Sequence, residues 1–203
     1  MKIQSQETCL SALGQPTFGA KAAVSSVPME RGRFVVQGNG FGRSGVTAGL
    51  VWQGMLIALA AVGGMIKLPA IVGSVALDSL PGYFAALSIG PGPGAIVAAF
   101  GHLASALVAG FPLTLPFHLL VAVVMAAIGA STAVVRRAAG IWGAVAWAVL
   151  TNGVAAPFLL SLVPNPLGRS LFAVMLVPLV AASAINVGLA AAAHAALRRA
   201  KVL

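Results

Sequence analysis

Three carboxylates, three imidazoles and one thiol are the main acid, base and nucleophile candidates in this 203-residue chain. Glu7 and Glu30 lie near the start, so Asp78 is the one acid in the apolar body of the sequence. Paired-carboxylate acid/base chemistry is therefore unavailable. His102, His118 and His194 do not fall at i, i+4 spacing, and a zinc site would need ligands from several helices. There is no G-x-x-x-x-G-K-[ST] loop to cradle nucleotide phosphates, no H-E-x-x-H and no G-x-S-x-G. The single cysteine, Cys9, excludes an intrachain disulfide framework. These blanks predict a chain that is not an enzyme, carries no cofactor or metal, and draws any driving energy from elsewhere.

What remains is a small set of polar and aromatic side chains embedded in apolar sequence. Asp78 stands in Gly73-Ser74-Val75-Ala76-Leu77-Asp78-Ser79-Leu80-Pro81-Gly82-Tyr83. It is either a helix cap, since Asp or Ser just before a Pro suits a helix start, or a ligand contact. His118 lies close behind Pro116-Phe117, and Asn152 interrupts a long apolar run. His102 has small residues at helical spacing (Ala98, Ser105, Ala106, Ala109) and is expected to face another helix and bond across to it. Asn186 is expected to be structural.

The elements that must hold these residues follow from composition. The chain is 60% apolar and only 7% charged, with a mean hydropathy of +1.02. Soluble domains are about 25% charged, so the bilayer is the expected solvent. The net charge of +9 comes from 12 Lys and Arg set against 3 acids. It reflects missing carboxylates and not a basic stripe with interleaved aromatics, so nucleic acid is not an expected partner.

Residues 1–46 carry Ser, Gly, Gln and scattered Arg without a sustained apolar period. They are expected to be a disordered extension or the product of a start codon placed too far upstream. Residues 47–203 form the expected membrane domain. A span needs about 20 apolar residues, and Pro and Gly punctuation cuts six segments: 47–67, 81–89, 94–110, 114–135, 140–162 and 168–197, the second long enough to cross only if it borrows the linker 70–80. The run Gly90-Pro91-Gly92-Pro93-Gly94 is expected to be a turn that no helix crosses, and Arg136-Arg137 to end the fourth helix. The fold class is thus all-α, a polytopic membrane protein of six transmembrane helices.

Basic residues set its orientation. With six spans and both termini cytoplasmic, Arg31, Arg33, Arg43, Arg136, Arg137, Arg198, Arg199 and Lys201 fall inside, and Lys67 and Arg169 outside. Asp78, Ser79, Tyr83, His118 and Asn152 then share the outer half, with Phe117 and Phe158 as stacking surfaces. Polar and aromatic groups converging at one depth predict a substrate pocket open to the exterior. The first helix also carries a stripe of small residues, Gly54, Ala58 and Ala61, which suits close approach of another helix or internal packing.

The stretch from Ile66-Lys67-Leu68-Pro69 to Tyr83 resembles the substrate-binding S component of an energy-coupling factor (ECF) transporter. So do Gly94-Ala95-Ile96-Val97 to Leu103, Gly110-Phe111-Pro112-Leu113 to Leu119, Asn152-Gly153-Val154-Ala155-Ala156-Pro157 and Ala184-Ile185-Asn186. The resemblance covers roughly residues 55–197. It implies a six-helix protein of the cell membrane that binds a vitamin or vitamin precursor from outside. It also implies separate partners, a transmembrane coupling subunit and ATPase subunits. Gly54, Ala58 and Ala61 become candidate docking residues, although Val62 stands where a strict alanine pattern would continue. Within the family, the sequence is most similar to S components for cobalamin precursors such as α-ribazole. The competing reading is a stand-alone secondary transporter or channel, which would ordinarily show more intramembrane acids for ion coupling.

Overall fold

The computed structural model describes residues 43–69, 74–165 and 167–202. The expectations for residues 1–42 therefore lie outside the described residues. Helix α1 runs Arg43–Met65, starting four residues ahead of the predicted boundary. A short antiparallel ribbon follows, β1 (Lys67–Pro69) pairing with β2 (Ser74–Ala76). The rest is helical: α2 (Leu80–Ser88), α3 (Pro91–Val108), α4 (Leu115–Leu150), a π turn over Thr151–Ala155, α5 (Ala156–Ser161) and α6 (Ser170–Arg199). Helices satisfy their backbone groups internally, as a hydrocarbon solvent demands.

Two sequence expectations need correcting. The Gly-Pro run at 90–94 is not wholly a turn, because α3 begins at Pro91 and takes Pro93 into its first turn. The first-turn N–H groups of a helix have no intrahelical partner, so prolines there forfeit nothing. Gly90 alone makes the reversal, with φ of 146°. Likewise Arg136-Arg137 does not end a helix. The helix continues to Gly140, where φ 72° and ψ −172° break it.

Among the described residues four stretches are long and apolar enough to cross a bilayer: Gly45–Met65, Pro91–Val108, Leu115–Ser161 and Ser170–Arg199. The third has 47 residues, roughly 70 Å if straight, more than twice a hydrocarbon core of about 30 Å. It does not run straight. Trp147 Nε1 donates to Ser131 Oγ at 3.0 Å, whereas a continuous helix would hold those residues about 24 Å apart. The chain doubles back at Gly140, so 115–139 and 141–161 are two limbs of a hairpin.

Helix α3 sits between α1, α2 and α4, and small residues let it approach them closely. A Cβ on Gly129 of α4 would strike the Gly94 carbonyl of α3, and one on Gly82 of α2 would lie 2.9 Å from the Ala98 backbone. Gly129→Ala should therefore force α3 and α4 apart. We expect a loss of about 1–3 kcal/mol, the scale of overpacking a tight core, read as a lower unfolding temperature in detergent. An unchanged unfolding temperature would mean the two helices do not touch there.

Candidate functional site

A cavity of about 460 Å³ lies among α3, α4, α5, α6 and the segment leading into α2, a size that suits a small molecule. Its polar groups are Asp78, Ser79, His102 and Asn152. Val121, Val124 and Met125 of α4, Leu160 of α5, and Met175 and Leu179 of α6 contribute an apolar wall. Among the described residues no Lys or Arg side chain lines it. Such a cavity accepts an apolar ring body with hydrogen-bonding groups at one end, and its described lining carries no cation to balance a carboxylate or phosphate.

Asp78 reaches the cavity because the ribbon and the start of α2 fix the chain on either side of it. Leu77 N–H donates to the Gly63 carbonyl at 3.0 Å. Asn186 Nδ2 donates to the Ala76 carbonyl at 2.8 Å, tying the ribbon to α6. This gives Asn186 the structural role expected of it. The N-cap position of α2 belongs to Ser79, which makes no side-chain cap bond. Its hydroxyl instead donates to Asp78 Oδ1 at 3.1 Å. Asp78 is thus not capping the helix. Burial pushes its carboxyl above the usual range, with the Ser79 and Ser105 hydroxyls acting in the opposite direction.

Asn152 is presented by the π turn, a helical widening often found at functional sites. Its Nδ2 donates to Ser183 Oγ at 2.8 Å, and Ser183 donates in turn to the Leu179 carbonyl at 2.6 Å. Pro178 interrupts α6 one residue before, and it has no N–H to give the Val174 carbonyl. Both Val174 and Pro178 line the cavity.

The remaining predicted residues are placed differently. Tyr83 is buried beneath the cavity, and its hydroxyl faces Ser183 and Asn152 without a hydrogen bond of normal geometry. His118 is buried behind His102, its Nδ1 3.1 Å from His102 Nε2, and its own Nε2 has no partner. Phe117 packs with Leu160 and Leu171 and is not part of the lining. Phe158 is half exposed and stacks edge-on against Phe172 at 5.7 Å, also outside the lining. Among the described residues no group of three or more His, Cys, Asp or Glu could hold a metal.

The small neighbours of His102 favour a bond between helices. His102 makes that bond, and it lines the cavity as well. A sequence signal for this pairing exists. Residues 102 and 118 are equidistant from Gly110, whose φ of 78° turns α3 toward α4, so an antiparallel hairpin must bring the two histidines level. The apolar wall had no such signal, because Met175 or Leu179 in an apolar helix reads the same facing lipid or facing a cavity.

The candidate docking stripe lies elsewhere. Gly54 and Ala58 are exposed on α1 and Ala61 is half-buried, while Leu56 and Ala60 take the side that packs inward. A Cβ on Gly54 would meet nothing within 4 Å. Internal packing therefore does not account for Gly54 and Ala58.

Comparison with known proteins adds one finding. A family model described as "ECF transporter, substrate-specific component" matches residues 49–197. No curated protein matches the chain, and no solved structure does.

Proposed function

Because the chain belongs to the family of ECF transporter substrate-specific components, we propose that the Asp78 cavity captures a small molecule from the exterior for import. The observation that carries this reading is the polar cluster of Asp78, Ser79, His102 and Asn152 set in an otherwise apolar cavity. A carboxylate held half-buried in such a place is costly, and in a membrane protein it marks a functional site. Ser79 and Asn152 supply hydroxyl and amide groups to orient the ligand, and the Met and Leu wall excludes water from its ring. Tyr83 and His118 support the polar cluster from behind. Phe117 and Phe158 would reach the ligand only after rearrangement of α4 and α5.

The orientation we propose has six spans and both termini cytoplasmic, in the cell membrane. The doubling back at Gly140 supports a fifth crossing beyond the four long apolar stretches, and the sixth takes α2, at nine residues too short to span alone, together with the segment ahead of it. The basic residues support the direction. Arg136, Arg137 and Arg198 gather at the end where α2 finishes, whereas Asp78 lies where α2 begins. The ligand class that fits is a vitamin or vitamin precursor that is uncharged or cationic. Resemblance within the family favours a cobalamin precursor such as α-ribazole. Family membership implies a transmembrane coupling subunit and ATPase subunits as partners, and the exposed Gly54 and Ala58 on α1 are the proposed contact.

Purification of the complex from native membrane, with mass spectrometry of subunits and small molecules, tests the proposal. Co-purifying coupling and ATPase subunits together with a vitamin-like compound are expected. A homogeneous chain that moves solute alone in vesicles would instead make it a stand-alone transporter.

A further inference from the structure

A second cavity of about 430 Å³ lies at the opposite end of α2, lined by Arg136, Gly140, Ile141, His194, Ala195 and Arg198. Arg136 Nη2 donates to His194 Nε2 at 3.0 Å. A guanidinium only donates, so Nε2 is the unprotonated nitrogen of that ring. The neutral ring then carries its hydrogen on Nδ1 and gives it to Ser88 Oγ at 2.9 Å. His194 thus fixes the direction of the Arg136 side chain without neutralising it, and the guanidinium keeps donors for another partner. Arg198 enters the same cavity from the last turn of α6.

Among the described residues no acidic side chain stands beside these cations. Asp78 is the only acidic side chain among the described residues. It stands ahead of α2, while Ser88 at the far end of that helix touches His194, which puts the carboxylate roughly 15 Å away. Next to the cavity-lining Ile141, Trp142 is 80% exposed. An exposed indole beside basic residues at the end of an apolar helix belongs at headgroup depth.

We propose that this cleft binds the phosphate of an anionic phospholipid, with the Arg136 and Arg198 guanidiniums meeting its oxygens. Planar guanidinium forks match phosphate geometry. With no acid among the lining residues, the two guanidinium charges are balanced by the lipid alone, which favours a headgroup of net negative charge over a zwitterionic one. The leaflet follows from the orientation given above; the binding itself does not depend on it.

The full-length chain, placed in nanodiscs with equal phosphatidylglycerol and phosphatidylcholine and extracted in mild detergent, is tested by mass spectrometry of the retained lipid. The chain should retain phosphatidylglycerol roughly tenfold over phosphatidylcholine. The double variant Arg136→Gln/Arg198→Gln should fall to the bulk ratio, while Arg169→Gln keeps the enrichment. Unfolding temperatures establish that the double variant is folded. If it is not, Arg136→Lys, which keeps charge and loses the fork, should show a partial loss. Retention at the bulk ratio by the unaltered chain would overturn the proposal, as would full enrichment in a folded double variant or in Arg136→Lys. Complete displacement of lipid by millimolar inorganic phosphate would overturn it in favour of a free-phosphate site. None of these readouts involves the Asp78 cavity or transport.

Discussion

Asp78→Asn should weaken ligand binding by about 1.5–3 kcal/mol, the scale of a hydrogen bond to a charged group, or roughly 10- to 150-fold in Kd. The substitution keeps the size and removes the charge. A capping role would predict almost no change, because Asn caps nearly as well as Asp, but Ser79 holds the cap position and Asp78 turns to the cavity. Stability should move the other way. Burial raises the Asp78 pKa above its usual 3.8, so the folded chain holds this proton more tightly than the unfolded chain does. Its contribution to stability is therefore greatest below the unfolded pKa and declines as pH rises toward the raised value. At neutral pH Asp78→Asn should be at least as stable as the parent, and it should lose this component of the pH dependence. Weaker binding in a sturdier protein is the signature of a residue kept for function at some cost in stability. Titration with α-ribazole and related vitamin precursors, alongside thermal unfolding across pH, measures both.

Ala58→Leu should abolish uptake by the assembled transporter while leaving ligand binding by the isolated chain intact. Ala58 is exposed on α1, one turn beyond Gly54, whose surroundings are open. A leucine there meets little within this chain, so folding should be unaffected. Against a partner helix the added bulk prevents the close approach that small residues permit. The comparison needs two assays: binding in detergent, and uptake with co-assembly in cells. Unchanged uptake would mean the stripe faces lipid.

Much of this architecture is legible in the sequence because lipid leaves a chain few options. Apolar length and Pro and Gly punctuation predict helix limits close to those observed, and Gly110 marks a turn. Errors arose where position within a helix mattered more than residue type. Prolines 91 and 93 read as breakers yet sit in the one turn where they do no harm. Arg136 read as a terminus, but it lies within α4 and bonds His194 across to α6. The cavity is legible through its polar members, since Asp78 and Asn152 are conspicuous in apolar sequence and both line it. Phe117 and Phe158 have rings that suit stacking, but periodicity does not say which side of a helix surrounded by lipid each occupies. The ribbon at 67–76 was not foreseen; its strands have three residues each, too few for an alternating pattern to register.

The central claim is that this chain alone binds the transported molecule, in the cavity that Asp78 lines, and that energy is supplied by other subunits. Equilibrium titration of the purified full-length chain in detergent, without nucleotide or partners, tests it most directly, using the compound recovered from the native complex. Saturable one-to-one binding, weakened by Asp78→Asn and unaltered by Ala58→Leu, is the predicted result. Binding that appears only with the coupling and ATPase subunits present, or that is indifferent to Asp78→Asn, would contradict it.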